Sequence, residues 1–209
     1  MINRISSAGT LQFVKKPMKI VAIDFETANY SPESACALGM VSIENGRITD
    51  SRSFLIRPPS PNFVFTYLHN ISWEDVRNEP PFAEHRHTIE QFVEGARFLA
   101  AHNAGFDRKV LLSCYAAIGH DHPEIPYLCT VKLARQIWNI RPTTLPDVCR
   151  HLRVRLDHHN ASSDALACAR IVTRALQESF PIEKSTLGPP SYKIRKARTK
   201  PKRLPLRLQ

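Results

Sequence analysis

"VAIDFETANY", residues 21–30, puts Asp24 and Glu26 one residue apart at the end of the apolar run Ile20–Ile23. The run has the composition of a buried strand. Side chains alternate faces along a strand, so Asp24 and Glu26 share one face and Phe25 points the other way, toward a core. Two carboxylates on one face repel each other, and burial sharpens the repulsion. A bound cation relieves both problems. A strand end that simply reaches solvent avoids them too, so the ten residues leave both readings open.

Outward from this stretch, the chain alternates strand and helix patterns. Residues 36–43 and 47–56 read as a hairpin around Asn45-Gly46, closed by Pro58-Pro59; Asn-Gly is a strong hairpin turn. Residues 72–78 read as a short helix, with Ser72 as N-cap and Glu74 and Asp75 in its first turn. Residues 82–95 read as helix, 97–103 as a buried strand, and 106–119 as an amphipathic helix stopped by Gly119. Then come a brief strand running into a helix over 127–138, a short helix over 144–154, and a long last helix capped by Asn160. A strand meander followed by strand–helix alternation predicts a mixed α/β sheet with helices packed against it.

The totals set bounds. The 209 residues suffice for one domain plus tails, and 43% hydrophobic with 23% charged residues is a globular composition. No apolar run approaches the ~18 residues that span a membrane, and the first residues lack a signal-peptide pattern. Five scattered cysteines without a CxxC pair are expected to be reduced core thiols of a cytoplasmic protein, not a zinc site. The net charge is +10, but residues 188–209 hold eight basic residues and no acid. With Pro189, Pro190, Pro201 and Pro205 among them, this tail, taken as 182–209, is expected to be disordered. It either grips a polyanion non-specifically or only solubilises the chain. Residues 1–17 read as a flexible extension, with Met18 an alternative start. The domain proper is then 18–181. Nothing in the sequence sets an oligomeric state.

Two further segments carry acids at element boundaries. Asp107 follows the strand in "HNAGFD", and Asp164 opens the last helix in "HHNASSD", with His159 just outside it. Either aspartate alone is also explained as a first-turn acid favoured by the helix dipole. Four carboxylates around one point suit hard divalent cations, Mg²⁺ or Mn²⁺. A pair of such ions ~4 Å apart clamps both oxygens of a phosphodiester displacement, and a histidine nearby can take a proton from water. Spacing alone does not choose between His158 and His159.

"DFET" at 24–27, "HNAGFD" at 102–107 and "HNASSD" at 159–164 together resemble the three motifs of the DnaQ-like 3′–5′ exonucleases of the DEDDh branch, which includes RNase T, oligoribonuclease and polymerase III epsilon-type domains. The resemblance runs from about Met18 to Leu176. It implies an RNase H-like fold, with a central mixed five-stranded sheet in order 3-2-1-4-5. By position it implies that Asp24, Glu26, Asp107 and Asp164 hold two divalent cations, Mg²⁺ or Mn²⁺, and that His159 is the general base, His158 being out of register. It also implies that Thr27, His69, Asn103 and Phe106 meet the terminal nucleotide. Asn70 and Asn160 depart from the pattern without touching the acid set. The implied activity is release of nucleoside 5′-monophosphates from single-stranded 3′ ends, of DNA or, alternatively, of RNA. A non-catalytic nucleic-acid-binding or polymerase-accessory role would be expected to show a damaged acid set, and this one is complete.

Overall fold

A computed structural model of the chain describes residues 18–188. The expectations for the extension at 1–17 and for the basic tail from 189 onward lie outside the described residues. Five strands form one sheet: β1 (Lys19–Thr27), β2 (Ala35–Glu44), β3 (Arg47–Leu55), β4 (Ala96–Ala101) and β5 (Tyr127–Cys129), in the order β3-β2-β1-β4-β5. The β1–β2 and β2–β3 pairs are antiparallel, and the β1–β4 and β4–β5 pairs are parallel. This is the expected RNase H-like arrangement.

Among the described residues seven α-helices accompany the sheet: α1 (Thr66–His69), α2 (Trp73–Val76), α3 (Phe82–Val93), α4 (Gly105–Ala117), α5 (Thr130–Ile137), α6 (Leu145–Leu152) and α7 (Ala161–Gln177). Period-two alternation on β1 sorts the core. Val21, Ile23 and Phe25 pack with Ile89 and Val93 of α3 and with Val110, Leu111 and Tyr115 of α4. Ile20 and Ala22 face Ala165, Cys168, Ala169 and Val172 of α7 on the opposite side. The small residues of α7 let that helix lie close against the sheet. No described helix is long and apolar enough to cross a membrane.

Four differences from the sequence reading have local causes. First, β1 does not end where the apolar run ends. The strand runs on to Thr27, paired with β2 through Thr27↔Ala35 beyond a bulge at Glu26/Thr27. What stops is the other edge, because the last β1–β4 rung is Ala22↔Ala100. Asp24 and Glu26 therefore line the gap where the parallel pairing has ended. Second, α1 is a single turn with no apolar period long enough to betray it. Third, β4 ends at Ala101, two residues early, because Asn103 takes a left-handed φ of 65° that no strand continues. Fourth, residues 182–187, assigned above to the tail, belong to the fold. Ile182–Ser185 form a 3₁₀ turn with Ile182 and Ser185 buried, and the Leu187 N–H donates to the Tyr127 carbonyl. An apolar Ile182 under a polar run is a tertiary contact that composition does not reveal.

Candidate active site

The floor of the site is built by β1 and the first turn of α7. Asp24 and Glu26 come off the α7 face of β1, half-buried, and Asp164 sits buried in the first helical turn opposite. Carboxylate oxygens of these three residues lie within 4.8 Å of one another. The α7 start is placed by its cap: the Asn160 side chain accepts from the N–H groups of Ser162 and Ser163.

Asp107 completes the group differently. It is buried in the first turn of α4, and its Oδ1 accepts the Phe25 N–H at 3.0 Å. That backbone group is free to donate because β4 has already left β1. Asp107 thus also ties α4 to the strand that carries Asp24 and Glu26.

The electrostatics follow from burial of like charges. Burial, then Asp107, Asp164 and Glu26, holds the Asp24 carboxyl well above the usual carboxylate range. Burial and the Asp164 charge push Glu26 up to about 7. Asp107 is pushed up to about 7 by burial, with Glu26 and Asp164 adding. Asp164 is raised too, by burial, although His158 offsets this. One oxygen of Asp164, Oδ1, is buried with no hydrogen-bond partner among the described residues. Crowded carboxylates that resist ionising, one with an orphaned oxygen, form a donor set that fits a hard divalent cation.

The two histidines sit beside this group. His158 Nδ1 lies 2.9 Å from Asp164 Oδ2, and the His159 N–H donates to the same oxygen at 3.1 Å. The rings stack at 3.9 Å. His159 has a φ of 65°, which turns its ring into the cleft. Burial first, and then the His158 charge, pushes the His159 imidazole below its ordinary value. The register reading leaves His158 outside the site, but in the fold it clamps a site acid.

A cleft of about 530 Å³ opens over the acids, and Asn103, Phe106 and His159 also line it. Phe106 is 45% exposed. Thr27 is buried, and its carbonyl lies 3.2 Å from His69 Nε2. His69 also accepts the Ile71 N–H on Nδ1 at 3.0 Å. Both of its ring nitrogens are therefore engaged within the protein, and burial lowers its pKa. Its ring lines a second cleft of about 620 Å³ on the other side of the His158–His159 turn. The structure gathers Asn103 and Phe106 with the acids and places His69 as a brace between β1 and α1, in the adjoining cleft that His158 and His159 also line.

Sequence reasoning missed three residues. Arg135 of α5 lines the cleft, held by its Nε donating to Thr143 Oγ1 at 3.0 Å. His102 bridges Thr130 Oγ1 at 2.9 Å and the Thr143 carbonyl at 3.1 Å, and burial pushes it down to about 4, so it stays neutral as a strut. Gly39 faces Asp24 across β1–β2, and a Cβ there would collide with the Ala161 backbone. Of the three only Gly39 carried a signal: a glycine inside a strand marks a close backbone approach.

Comparison with known proteins agrees with this geometry. A family model described as Exonuclease, of RNase T type, matches residues 21–172. The chain is 32% identical over 167 residues to the 3′-5′ exonuclease DinG of Bacillus subtilis, covering 77% of this chain and 18% of that protein. It is 28% identical over 151 residues to exodeoxyribonuclease 10 of Escherichia coli, covering 68% of this chain and 62% of the other. The chain thus spans less than two thirds of the length of these relatives. Among solved structures, the nuclease domain of 3′hExo, a DEDDh family member bound to rAMP, superposes with a TM-score of 0.67 at 19% identity, over 78% of this chain and 94% of that one. Exonuclease X in complex with 5′ overhanging duplex DNA superposes with a TM-score of 0.61 at 21% identity, over 79% and 96%. With the family model running from the first strand into the last helix, through every segment that carries a site acid, this chain belongs to the RNase T-type exonuclease family.

Proposed function

We propose that this chain is a divalent-metal-dependent 3′–5′ exonuclease that releases nucleoside 5′-monophosphates from single-stranded ends, with DNA as its main substrate. The observation that carries the reading is the convergence of Asp24, Glu26 and Asp164 within 4.8 Å, beside two stacked histidines and under an open cleft. Family membership implies dependence on a divalent metal. Oxygen-only donors favour a pair of Mg²⁺ or Mn²⁺ ions.

In this reading Asp24, Glu26 and Asp164 would hold the cations, and Asp107 would contribute beside them. When bound, the cations supply neutralisation of the phosphate charge and acidify the attacking water. His159, neutral near pH 7 because burial lowers its pKa, accepts a proton from that water on its imidazole. The water oxygen bonds to phosphorus, the bond from phosphorus to the 3′ oxygen of the preceding nucleotide breaks, and that oxygen takes a proton from solvent. His158 holds Asp164 in place while this happens. Asn103 and Phe106 seat the terminal nucleotide, and His69 keeps the Thr27 end of β1 in position.

The DNA preference draws on the exodeoxyribonuclease among the relatives. The alternative, an RNA exonuclease, draws on the structural neighbour bound to rAMP. A cytoplasmic location is supported by five unpaired, buried cysteines. The deciding experiment incubates the protein with 5′-end-labelled single-stranded DNA and RNA, in Mg²⁺, in Mn²⁺ and in EDTA. A ladder shortening from the 3′ end only with metal is expected. No degradation of either polymer, or degradation in EDTA, would overturn the reading.

A further inference from the structure

Charge is distributed unevenly over the described residues. Between 130 and 156 lie six basic residues, Lys132, Arg135, Arg141, Arg150, Arg153 and Arg155, and one acid, Asp147, a net of +5. The rest of 18–188 holds twelve basic and eighteen acidic residues, a net of −6. All six of those basic side chains are exposed. They belong to α5, the loop after it, α6 and the segment leading into the His158–His159 turn, and Arg135 at one end lines the cleft over the acids.

The segment 152–156 is built to present charge. Leu152, Val154 and Leu156 are half-buried against the cluster shared by α5, α6 and α7, while Arg153 and Arg155 alternate outward. The backbone is pinned under them: the Arg153 N–H donates to the Arg150 carbonyl at 3.3 Å and the Val154 N–H to the Cys149 carbonyl at 2.8 Å. Neither arginine side chain has a hydrogen-bond or ion-pair partner among the described residues. At a maximum of ~3.6 Å per residue, Arg155 lies within ~11 Å of His158 and Arg153 within ~18 Å. Those distances are spanned by a few nucleotides. Asp157, next in the alternation, lines the other cleft.

Building on the exonuclease reading above, we infer that this basic quarter is the track along which the single strand 5′ of the reacting nucleotide leaves the cleft, with its phosphates held by Arg153 and Arg155. Outside that stretch, and apart from the four acids of the site, residues 18–188 hold twelve basic and fourteen acidic residues, a net of −2, and the acid cluster at the cleft floor repels a phosphate backbone. The stretch 130–156 carries the concentrated excess of positive charge, a net of +5 over 27 residues. Arginine without a competing carboxylate suits phosphate oxygens, and such contacts position the strand without reading its sequence.

The test uses the full chain carrying Arg153→Gln and Arg155→Gln together. A control chain carries Arg47→Gln and Arg52→Gln on β3, at the opposite edge of the sheet. Binding of a labelled 20-nucleotide single strand is followed against NaCl in EDTA, so that the outcome does not depend on turnover. The slope of log K against log salt should flatten by about 1.4, since each single-strand phosphate contact contributes ~0.7. Affinity at low salt should fall about tenfold, while hydrolysis of a dinucleotide stays as in the unaltered chain. The control should keep its slope. An unchanged slope in the Arg153/Arg155 variant, or an equal loss in the control, overturns the track. A parent chain that leaves the dinucleotide intact in Mn²⁺ refutes the exonuclease reading alone, because the EDTA binding still decides the track.

Discussion

The Ala161 carbonyl occupies the space where a Cβ of Gly39 would stand. Gly39 is the cross-strand partner of Asp24, and Ala161 is the first residue of α7. The missing methyl is what lets the helix carrying Asp164 descend onto the strand carrying Asp24 and Glu26. Gly39→Ala should therefore do two things. Overpacking should destabilise the fold by ~1–3 kcal/mol, a drop in Tm on the order of 2–12 °C. It should also push Asp164 and the His159 turn away from β1, lowering kcat. Thermal melts and turnover on one oligonucleotide check this. Retention of both parental values would show that the close approach is dispensable.

The acid cluster makes the metal-free protein sensitive to pH. Glu26 and Asp107 rise from ordinary carboxylate values to about 7 in the fold. Between pH ~4 and ~7 the folded chain therefore binds more protons than the unfolded chain. Their contribution to stability is fully present below pH ~4 and is lost as pH rises through 7. In EDTA the Tm should thus fall from pH 5 to pH 8. Divalent cation must displace the same protons, so Mg²⁺ or Mn²⁺ should raise the Tm more at pH 8 than at pH 5. Asp24→Asn, which removes one repelling charge, should raise the metal-free Tm at pH 8 and abolish turnover. A metal-free Tm that climbs steadily from pH 5 to pH 8 would contradict the assignment of these shifts.

The adjacent histidines should separate in their effects. His159→Ala removes the ring proposed to take the water proton, and kcat should fall ~10²- to 10⁴-fold. His158→Ala removes one hydrogen bond to Asp164 but leaves the His159 N–H on the same oxygen. A smaller fall is expected, together with weaker metal activation. Titrating the rate against Mn²⁺ for both variants distinguishes the roles. A larger loss of kcat for His158→Ala would reverse them.

Truncation should spare the contacts made by Leu187 and Gly188. The Arg108 side chain donates to the Gly188 carbonyl, and the Leu187 N–H is bonded to Tyr127, so the cut belongs after Gly188. Removing 189–209 takes away eight positive charges. The Tm and the dinucleotide rate should be unchanged, while affinity for long single strands falls and its salt dependence flattens. Equal affinity and slope before and after truncation would leave the tail without a nucleic-acid role.

The sequence by itself determined the strand meander, the helix order and the acids at element boundaries. Those features are written in short-range periodicity, turn residues and caps: alternation at Ile20–Glu26, Asn45-Gly46, and Asn160 before α7. Motif order was enough to place Asp24, Glu26, Asp107, His159 and Asp164 together as a group. Other features were decided only by tertiary structure. Asp24 and Glu26 face an open gap because β4 parts from β1 after Ala22, and no local pattern encodes where a neighbouring strand leaves. His158 joins the site because the turn before α7 brings both rings against Asp164. His69 is turned inward by partners in β1 and after α1, and Ile182 is buried by a sheet edge formed more than fifty residues earlier. Arg135 reaches the cleft only because α5 packs against α7. Except for the local His158–Asp164 contact, which depends on the left-handed turn at His159, the deciding contacts join residues distant along the chain, and short-range periodicity carries no information about which of them will meet.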